Sequence, residues 1–153
     1  MEPKESTKVI DKTIRDIHKY LVEFTKGSLK ENGLTKQRFM VLWYITKNQP
    51  VNMSYLHDKM YMANSTLTVI VDRLVEDKLL KRYRNPEDRR EVLLELTKKG
   101  DNILRKLLNI RQSFLQKALK DLSEEQKDDV INLLNLVLNN LEDMMKKDGG
   151  NNG

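Results

Sequence analysis

Hydrophobic residues recur at steps of three and four along most of this 153-residue chain, a spacing that predicts a largely helical protein. The first such segment spans residues 6 to about 29, and its single narrow apolar row consists of Ile10, Ile14, Ile17, Leu21 and Phe24. Thr35 is the predicted N-cap of a second helix, whose broad apolar face predicts burial on more than one side. A long helix capped by Thr97 reaches about residue 119, and a last helix follows a capping box that begins at Ser123.

The segment from Met53 to Gly100 is organised differently. A short helix capped by Asn52, a break at residues 61–63 and a second helix over residues 64–74 predict a helix-turn-helix. The second helix has an inner apolar stripe made of Leu67, Ile70, Val71 and Leu74. Its opposite face carries Ser65, Thr66, Thr68, Val69, Asp72 and Arg73. Short hydroxyls, one apolar side chain and an arginine suit contacts in a DNA major groove, although periodicity alone allows an ordinary solvated face equally well.

A two-stranded hairpin is predicted after this helix, with strands at residues 79–84 and 92–96 and a charged tip at residues 85–90. From residue 78 to residue 90 there are six Lys or Arg residues against two acids. We expect one of Arg89 and Arg90 to enter or border a minor groove, and the other to pair with Asp88 and hold the turn. Arg82 and Arg84 are either phosphate contacts or ordinary charges on the strand surface.

Three motifs together resemble the MarR family of winged-helix transcription regulators: Ser65-Thr66-Leu67-Thr68-x4-Arg73-Leu74, Asn85-Pro86-x-Asp88-x-Arg90 and Leu94-x-Leu96-Thr97-x2-Gly100. The resemblance covers nearly the whole chain. It implies a mostly α (α+β) fold with a winged helix-turn-helix core and long N- and C-terminal dimerisation helices. By the family spacing Arg90 is the arginine of the Asp-x-Arg motif. The family's wing often begins with Asp where this chain has Asn85, which removes one negative charge near the DNA backbone.

We expect four parts: an N-terminal dimerisation helix at 6–34, the DNA-binding domain at 35–97, C-terminal dimerisation helices at 98–147 and a disordered tail at 148–153. A core of about sixty residues is too small to cover the apolar rows of three long helices, so a second copy of the chain is the simplest cover. The predicted partner is then double-stranded DNA with an inverted repeat, its half-sites about one turn apart. The residues predicted to contact it are Asn64, Ser65, Thr66, Thr68, Val69, Arg73, Arg82, Arg84, Arg89 and Arg90. Of these, Asn64 either caps its helix or binds a phosphate at the helix start.

The composition is compatible with this interpretation and restricts the partners and the chemistry that we expect. The net charge of +5 and the pI of about 9.3 favour an anionic partner, although a membrane surface would also fit. No apolar run approaches the ~20 residues of a membrane span, and the N-terminus lacks a signal-peptide pattern, so we expect a cytoplasmic protein. The absence of cysteine excludes disulfides and thiol-based sensing. His18 and His57 are far apart, and there is no phosphate loop, so we expect no metal, no cofactor and no enzymatic activity.

The resemblance also implies a small, often aromatic and anionic effector in a cleft between the dimer helices and the winged domain. Candidates to line such a cleft are His18, Tyr20, Phe24, Phe39, Trp43 and Phe114, for each of which core packing is the simpler interpretation.

The leading hypothesis is a homodimeric, sequence-specific DNA-binding regulator, with repression favoured. The alternative is a winged-helix module that binds an acidic protein, and the hydroxyl-rich helix face argues against it.

Overall fold

The computed structural model describes residues 2–149, with side chains described as far as residue 146. Within that range the elements are α1 (Glu5–Glu31), α2 (Lys36–Asn48), β1 (Val51–Asn52), α3 (Met53–Met60), α4 (Asn64–Glu76), β2 (Leu80–Arg84), β3 (Val92–Leu96), α5 (Lys98–Ala118) and α6 (Glu124–Gly149). This mostly helical fold with one small antiparallel sheet confirms the predicted fold class. Of the tail expected at 148–153, residues 150–153 lie outside the described range, whereas residues 148 and 149 belong to α6.

Side-chain hydrogen bonds confirm four of the predicted helix caps. Thr35, Asn52 and Thr97 each accept the backbone N–H three residues further on, at 3.2, 2.9 and 3.0 Å. Ser123 and Gln126 form the reciprocal capping box, with distances of 3.2 and 2.9 Å. Each bond satisfies an N–H group that has no partner inside its own helix, and such a cap contributes about 1 kcal/mol.

The three strands form one antiparallel sheet in the order β1-β3-β2. β2 and β3 are the predicted hairpin, in which Leu80 lies opposite Leu96 and Arg84 opposite Val92. The sequence pattern does not indicate β1, because a strand of two residues is too short to show alternation. Since β1 pairs with β3 and leads directly into α3, it joins the hairpin to the helix-turn-helix.

The chain divides into two compact units, residues 1–113 and residues 114–153. The first contains the sheet and the core, in which no charged or polar side chain of the described residues is buried. Its largest fully buried side chains are Leu42, Ile45, Leu56, Leu67, Leu74, Leu80, Leu94, Leu104, Val41 and Val71. Because each such side chain contributes about 1.5–3 kcal/mol when it is removed from water, their packing fixes α4 against the sheet.

The Leu-Thr-x-x-Gly motif forms the junction between β3 and α5. Thr97 Oγ1 donates to the carbonyl of Lys78 at 2.7 Å while it accepts from the N–H of Gly100. The Thr97 N–H donates to the carbonyl of Leu79 at 3.1 Å. A Cβ atom at Gly100 would lie 2.1 Å from that same Leu79 oxygen. The glycine is therefore required by the close approach of α5 to the end of the α4–β2 connection.

The two long terminal helices carry apolar side chains that the described chain leaves exposed. No residue of α1 is buried, and 40–66% exposure is found at Val9, Ile10, Ile14, Ile17, Tyr20 and Phe24. In the second unit, 38–64% exposure is found along α6 at Val130, Ile131, Leu133, Leu134, Leu136, Val137, Leu138, Leu141, Met144 and Met145. Across residues 2–149, no helix is long and apolar enough to cross a bilayer.

Candidate nucleic-acid interface

The two faces of α4 differ in burial as the spacing predicts. Leu67, Val71 and Leu74 are at most 1% exposed, and Ile70 is partly buried against the same core, which confirms the inner stripe. The outer face is exposed at Ser65, Thr66, Thr68, Val69 and Arg73. Val69 alone is 68% exposed, and the hydroxyl of Thr68 donates to the carbonyl of Asn64 at 2.8 Å. This face, with its hydroxyls, its methyls and its arginine, is open to a ligand.

The N-terminus of α4 differs from the expectation in one respect. The N-cap is Ala63, which has no side-chain oxygen, and Asn64 is the first helical residue. The capping role considered for Asn64 is therefore wrong, because the chain enters the helix one residue earlier. Tyr61, which ends α3, adopts the left-handed conformation with φ 50° and is 82% exposed. The first N–H groups of α4 consequently lie beside an exposed turn.

The acidic residues of α4 are engaged with arginines. Asp72 forms an ion pair with Arg82 of β2, and not with its neighbour Arg73. Arg73 pairs instead with Glu76 at 2.9 Å, and this hydrogen bond with its associated charge raises the pKa of the Arg73 guanidinium. Both pairs are substantially exposed, so each contributes little to stability. Each arginine can therefore exchange its acidic partner for a phosphate or a base.

The tip of the hairpin, which we call the wing turn (residues 85–90), is held together by hydrogen bonds between side chains and backbone groups. Asp88 Oδ1 accepts the backbone N–H of Arg90 at 3.0 Å, and Arg84 Nη1 donates to the carbonyl of Arg89 at 3.0 Å. The expected ion pair between Asp88 and one of the two arginine side chains is absent from the described chain. Asp88 therefore shapes the turn through the main chain, and the side chains of Arg89 and Arg90 stay exposed.

Two polar groupings in the sheet are not visible in the sequence pattern. Lys81 of β2 forms an ion pair across the hairpin with Glu95 of β3, which raises the pKa of the lysine and lowers that of the glutamate. At the base of the wing turn, Glu91 accepts hydrogen bonds from the side-chain amides of Asn52 and Asn85. Both groupings depend on strand register, which a single sequence does not fix.

A cavity of about 690 Å³ lies within the first unit, among side chains of α1, α2 and α5. Three of the predicted effector residues line it, namely His18, Phe39 and Trp43. Tyr20 and Phe24 do not line it and are exposed on α1, while Phe114 belongs to the second unit. The lining also includes cationic residues that aromatic spacing does not reveal: Lys26, Lys30, Lys36 and Arg111. The described residues contain no cluster of three His, Cys, Asp or Glu side chains that could hold a metal ion.

Comparison with known proteins agrees with this geometry. The model of the MarR family matches residues 34–92, which include the helix-turn-helix and most of the hairpin. The HTH-type transcriptional regulator SarZ of Staphylococcus haemolyticus is 30% identical over 112 residues, which are 73% of this chain and 75% of that protein. The chain belongs to the MarR family.

Other MarR-family proteins match over most of the chain. The HTH-type transcriptional repressor IacR of Pseudomonas putida is 28% identical over 82% of this chain and 75% of its own length. The structure of a MarR-family protein from Bacillus stearothermophilus superposes with a TM-score of 0.78 at 25% identity, covering 95% of this chain and 99% of that one. As a member of the MarR family, the chain is a DNA-binding transcriptional regulator, and the alternative of a protein-binding winged helix is not favoured.

Proposed function

We propose that this protein is a repressor that binds an inverted-repeat operator as a homodimer and is released by a small aromatic anion. The observation that carries the DNA contact is the open outer face of α4 beside a wing turn whose two arginines have no acidic partner in the described chain. In this proposal α4 reads the major groove, and Arg89 and Arg90 follow the backbone or enter the minor groove. IacR, a relative named as a repressor, supports the sign of regulation.

Dimerisation is supported by the apolar side chains that α1 and α6 expose. α1 and α6 are the two longest helices of the described chain. Six large apolar residues of α1 and ten of α6 are each at least 38% exposed. Contiguous exposed apolar surface on a soluble protein marks an interaction site. A second copy related by a two-fold axis would cover both faces and would set two α4 helices against successive major grooves, about 34–36 Å apart.

The effector proposal rests on the cavity in the first unit. Phe39 and Trp43 offer flat apolar surface, while Lys30 and Arg111 offer positive charge. An aromatic carboxylate matches both properties, because its ring can pack on aromatic side chains and its anion can pair with a cation. Such a ligand causes the protein to leave the operator only under one condition. It must bind more tightly to a dimer in which the distance between the two α4 helices does not match successive major grooves.

The experiment that tests the proposed function is selection of bound sequences from a random duplex pool, with purified protein at near-physiological salt. We expect enrichment of an inverted repeat with half-sites about one helical turn apart. The logarithm of operator affinity should fall with the logarithm of salt concentration by about 0.9 per neutralised phosphate. Binding without enrichment of any sequence, or binding that is insensitive to salt, would contradict the proposal.

A further inference from the structure

Three polar side chains form a row across the sheet at the base of the wing turn, and we call this row the Glu91 bridge. Glu91 immediately precedes the central strand β3, Asn52 lies in the edge strand β1, and Asn85 directly follows the edge strand β2. Asn52 Nδ2 donates to Oε1 of Glu91 at 2.5 Å, and Asn85 Nδ2 donates to Oε2 at 2.6 Å. Each oxygen of one carboxylate therefore holds one edge of the sheet.

The bridge connects the helix-turn-helix to the wing turn. Asn52 uses its other amide atom, Oδ1, to cap α3, so its side chain is fixed at the start of the helix-turn-helix. Asn85 also donates its backbone N–H to the carbonyl of Glu91 at 2.9 Å, which closes the wing turn. β1 has only two residues, so few backbone hydrogen bonds join it to β3. A side-chain bridge therefore adds substantially to the connection.

The carboxylate of Glu91 is suited to this role because it is half-buried and its lowered pKa favours the ionised form. The hydrogen bond from Asn52 lowers the pKa of Glu91 most, and the hydrogen bond from Asn85 lowers it further. Burial raises this pKa, but it offsets only part of the lowering. Hydrogen bonds to an ionised acceptor are shorter and stronger than those between neutral groups. At the same time, a carboxylate directly after two arginines on a DNA-facing turn repels phosphate. An anion placed there therefore calls for a role other than contact with DNA.

We propose that Glu91 is a positioning residue for DNA binding. Through Asn52 and Asn85 it fixes the wing turn relative to α4, so that Arg89 and Arg90 reach the DNA backbone while α4 lies in the major groove. The inference rests on the proposed function, because it assigns a role within the same interface. Glu91 acts through its two partners and makes no contact with DNA itself.

The test begins with Asn52→Asp in the full-length protein. Aspartate keeps the Oδ1 that caps α3, but it replaces the amide donor with an oxygen that faces the Glu91 carboxylate. We expect operator affinity to fall on the order of tenfold, and the salt slope to decrease by about 0.9 for each wing–phosphate contact that is lost. Thermal unfolding and circular dichroism establish that the variant is folded under the binding conditions.

The second variant exchanges the donor and the acceptor in the hydrogen bond between residues 52 and 91. In Asn52→Asp/Glu91→Gln, the new glutamine donates to Asp and still accepts from Asn85, so affinity and salt slope should return to within about threefold of the wild type. The matched control is Asn52→Asp/Glu87→Gln, which has the same net charge. Glu87 also lies in the wing turn, and its side chain has no partner in the described chain. This control should bind the operator clearly more weakly than Asn52→Asp/Glu91→Gln, because it restores the net charge but not the hydrogen bond to residue 52.

The outcomes separate the two proposals. The inference is overturned if Asn52→Asp binds the operator as tightly as the wild type, or if the Glu87→Gln control restores binding as fully as Glu91→Gln does. A wild-type protein that selects no DNA sequence overturns the proposed function, and the role of the bridge falls with it. Rescue confined to Glu91→Gln is the result we expect.

Discussion

Replacing Gly100 with alanine should destabilise the protein, although alanine is the better helix former. The added Cβ would lie 2.1 Å from the backbone oxygen of Leu79 and 3.2 Å from Cδ2 of Leu96. Real Cβ atoms do not approach a backbone oxygen this closely, so α5 or the Leu79 carbonyl has to move by about 1 Å. That carbonyl accepts the N–H of Thr97, so the movement also weakens the junction between β3 and α5.

The size of the effect follows from three contributions. Overpacking in a rigid core costs about 1–3 kcal/mol, and overlap with a backbone atom belongs at the upper end. Weakening one backbone hydrogen bond costs about 1 kcal/mol. The higher helix propensity of alanine returns about 1 kcal/mol, because Gly100 lies within α5. The net expectation is a loss of about 3 kcal/mol in the free energy of unfolding.

Urea denaturation followed by circular dichroism measures this loss, at one protein concentration for every variant because assembly contributes to stability. Gly27→Ala is the matched control, since Gly27 is also helical but a Cβ there meets nothing within 4 Å. The control should gain up to about 1 kcal/mol. The same substitution should therefore have opposite signs at the two glycines, and a neutral or stabilising Gly100→Ala would refute the steric argument.

Three further predictions concern the interface and the cavity. Arg73→Ala should weaken operator binding by about 1–3 kcal/mol with a smaller loss on random duplex, as electrophoretic mobility shifts would measure; an equal loss on both would identify a phosphate contact. Because the pKa of Glu91 is lowered from 4.5, its bridge should stabilise the fold above about pH 4.5, and this stabilisation should be lost as the pH falls through the lowered pKa. The stability difference between wild type and Glu91→Gln, measured by urea denaturation, should therefore shrink on acidification, and a constant difference would contradict this. Benzoate should raise the melting temperature of the wild type, and Arg111→Gln should reduce that rise; an unchanged rise would remove Arg111 from the ligand site.

Much of the fold could be predicted from local patterns. The inner stripe of α4 follows from spacing alone, since Leu67, Val71 and Leu74 lie on one face of any helix formed there. The caps at Thr35 and Asn52 follow from the need to satisfy free N–H groups at each helix start. These features depend on residues three or four positions apart, and contacts over such short separations can be inferred from the spacing in a single sequence.

The polar contacts of the interface could not be predicted in the same way. Glu91 and Asn52 are 39 residues apart, and their hydrogen bond exists only because β1 pairs with β3 in one register. The partner of Asp72 depends on the same kind of information, since Arg82 reaches it from the neighbouring strand and not from the same helix. The cations of the cavity cannot be predicted from the spacing of aromatic residues, because Arg111 lies on α5, which is distant in sequence from α1 and α2.

The outer face of α4 has a consequence for how such regulators diverge. Ser65, Thr66 and Val69 are exposed, and within the described chain their side chains have no hydrogen-bond or ion-pair partner. Substitutions there leave the core intact, so duplicated copies of the gene could acquire new operator preferences at these positions with little loss of stability. Asp72 is different: its replacement costs little stability, but it removes the ion-pair partner of Arg82, one of the residues predicted to contact DNA. We therefore expect related sequences to vary independently at 65, 66 and 69, and to change 72 and 82 together.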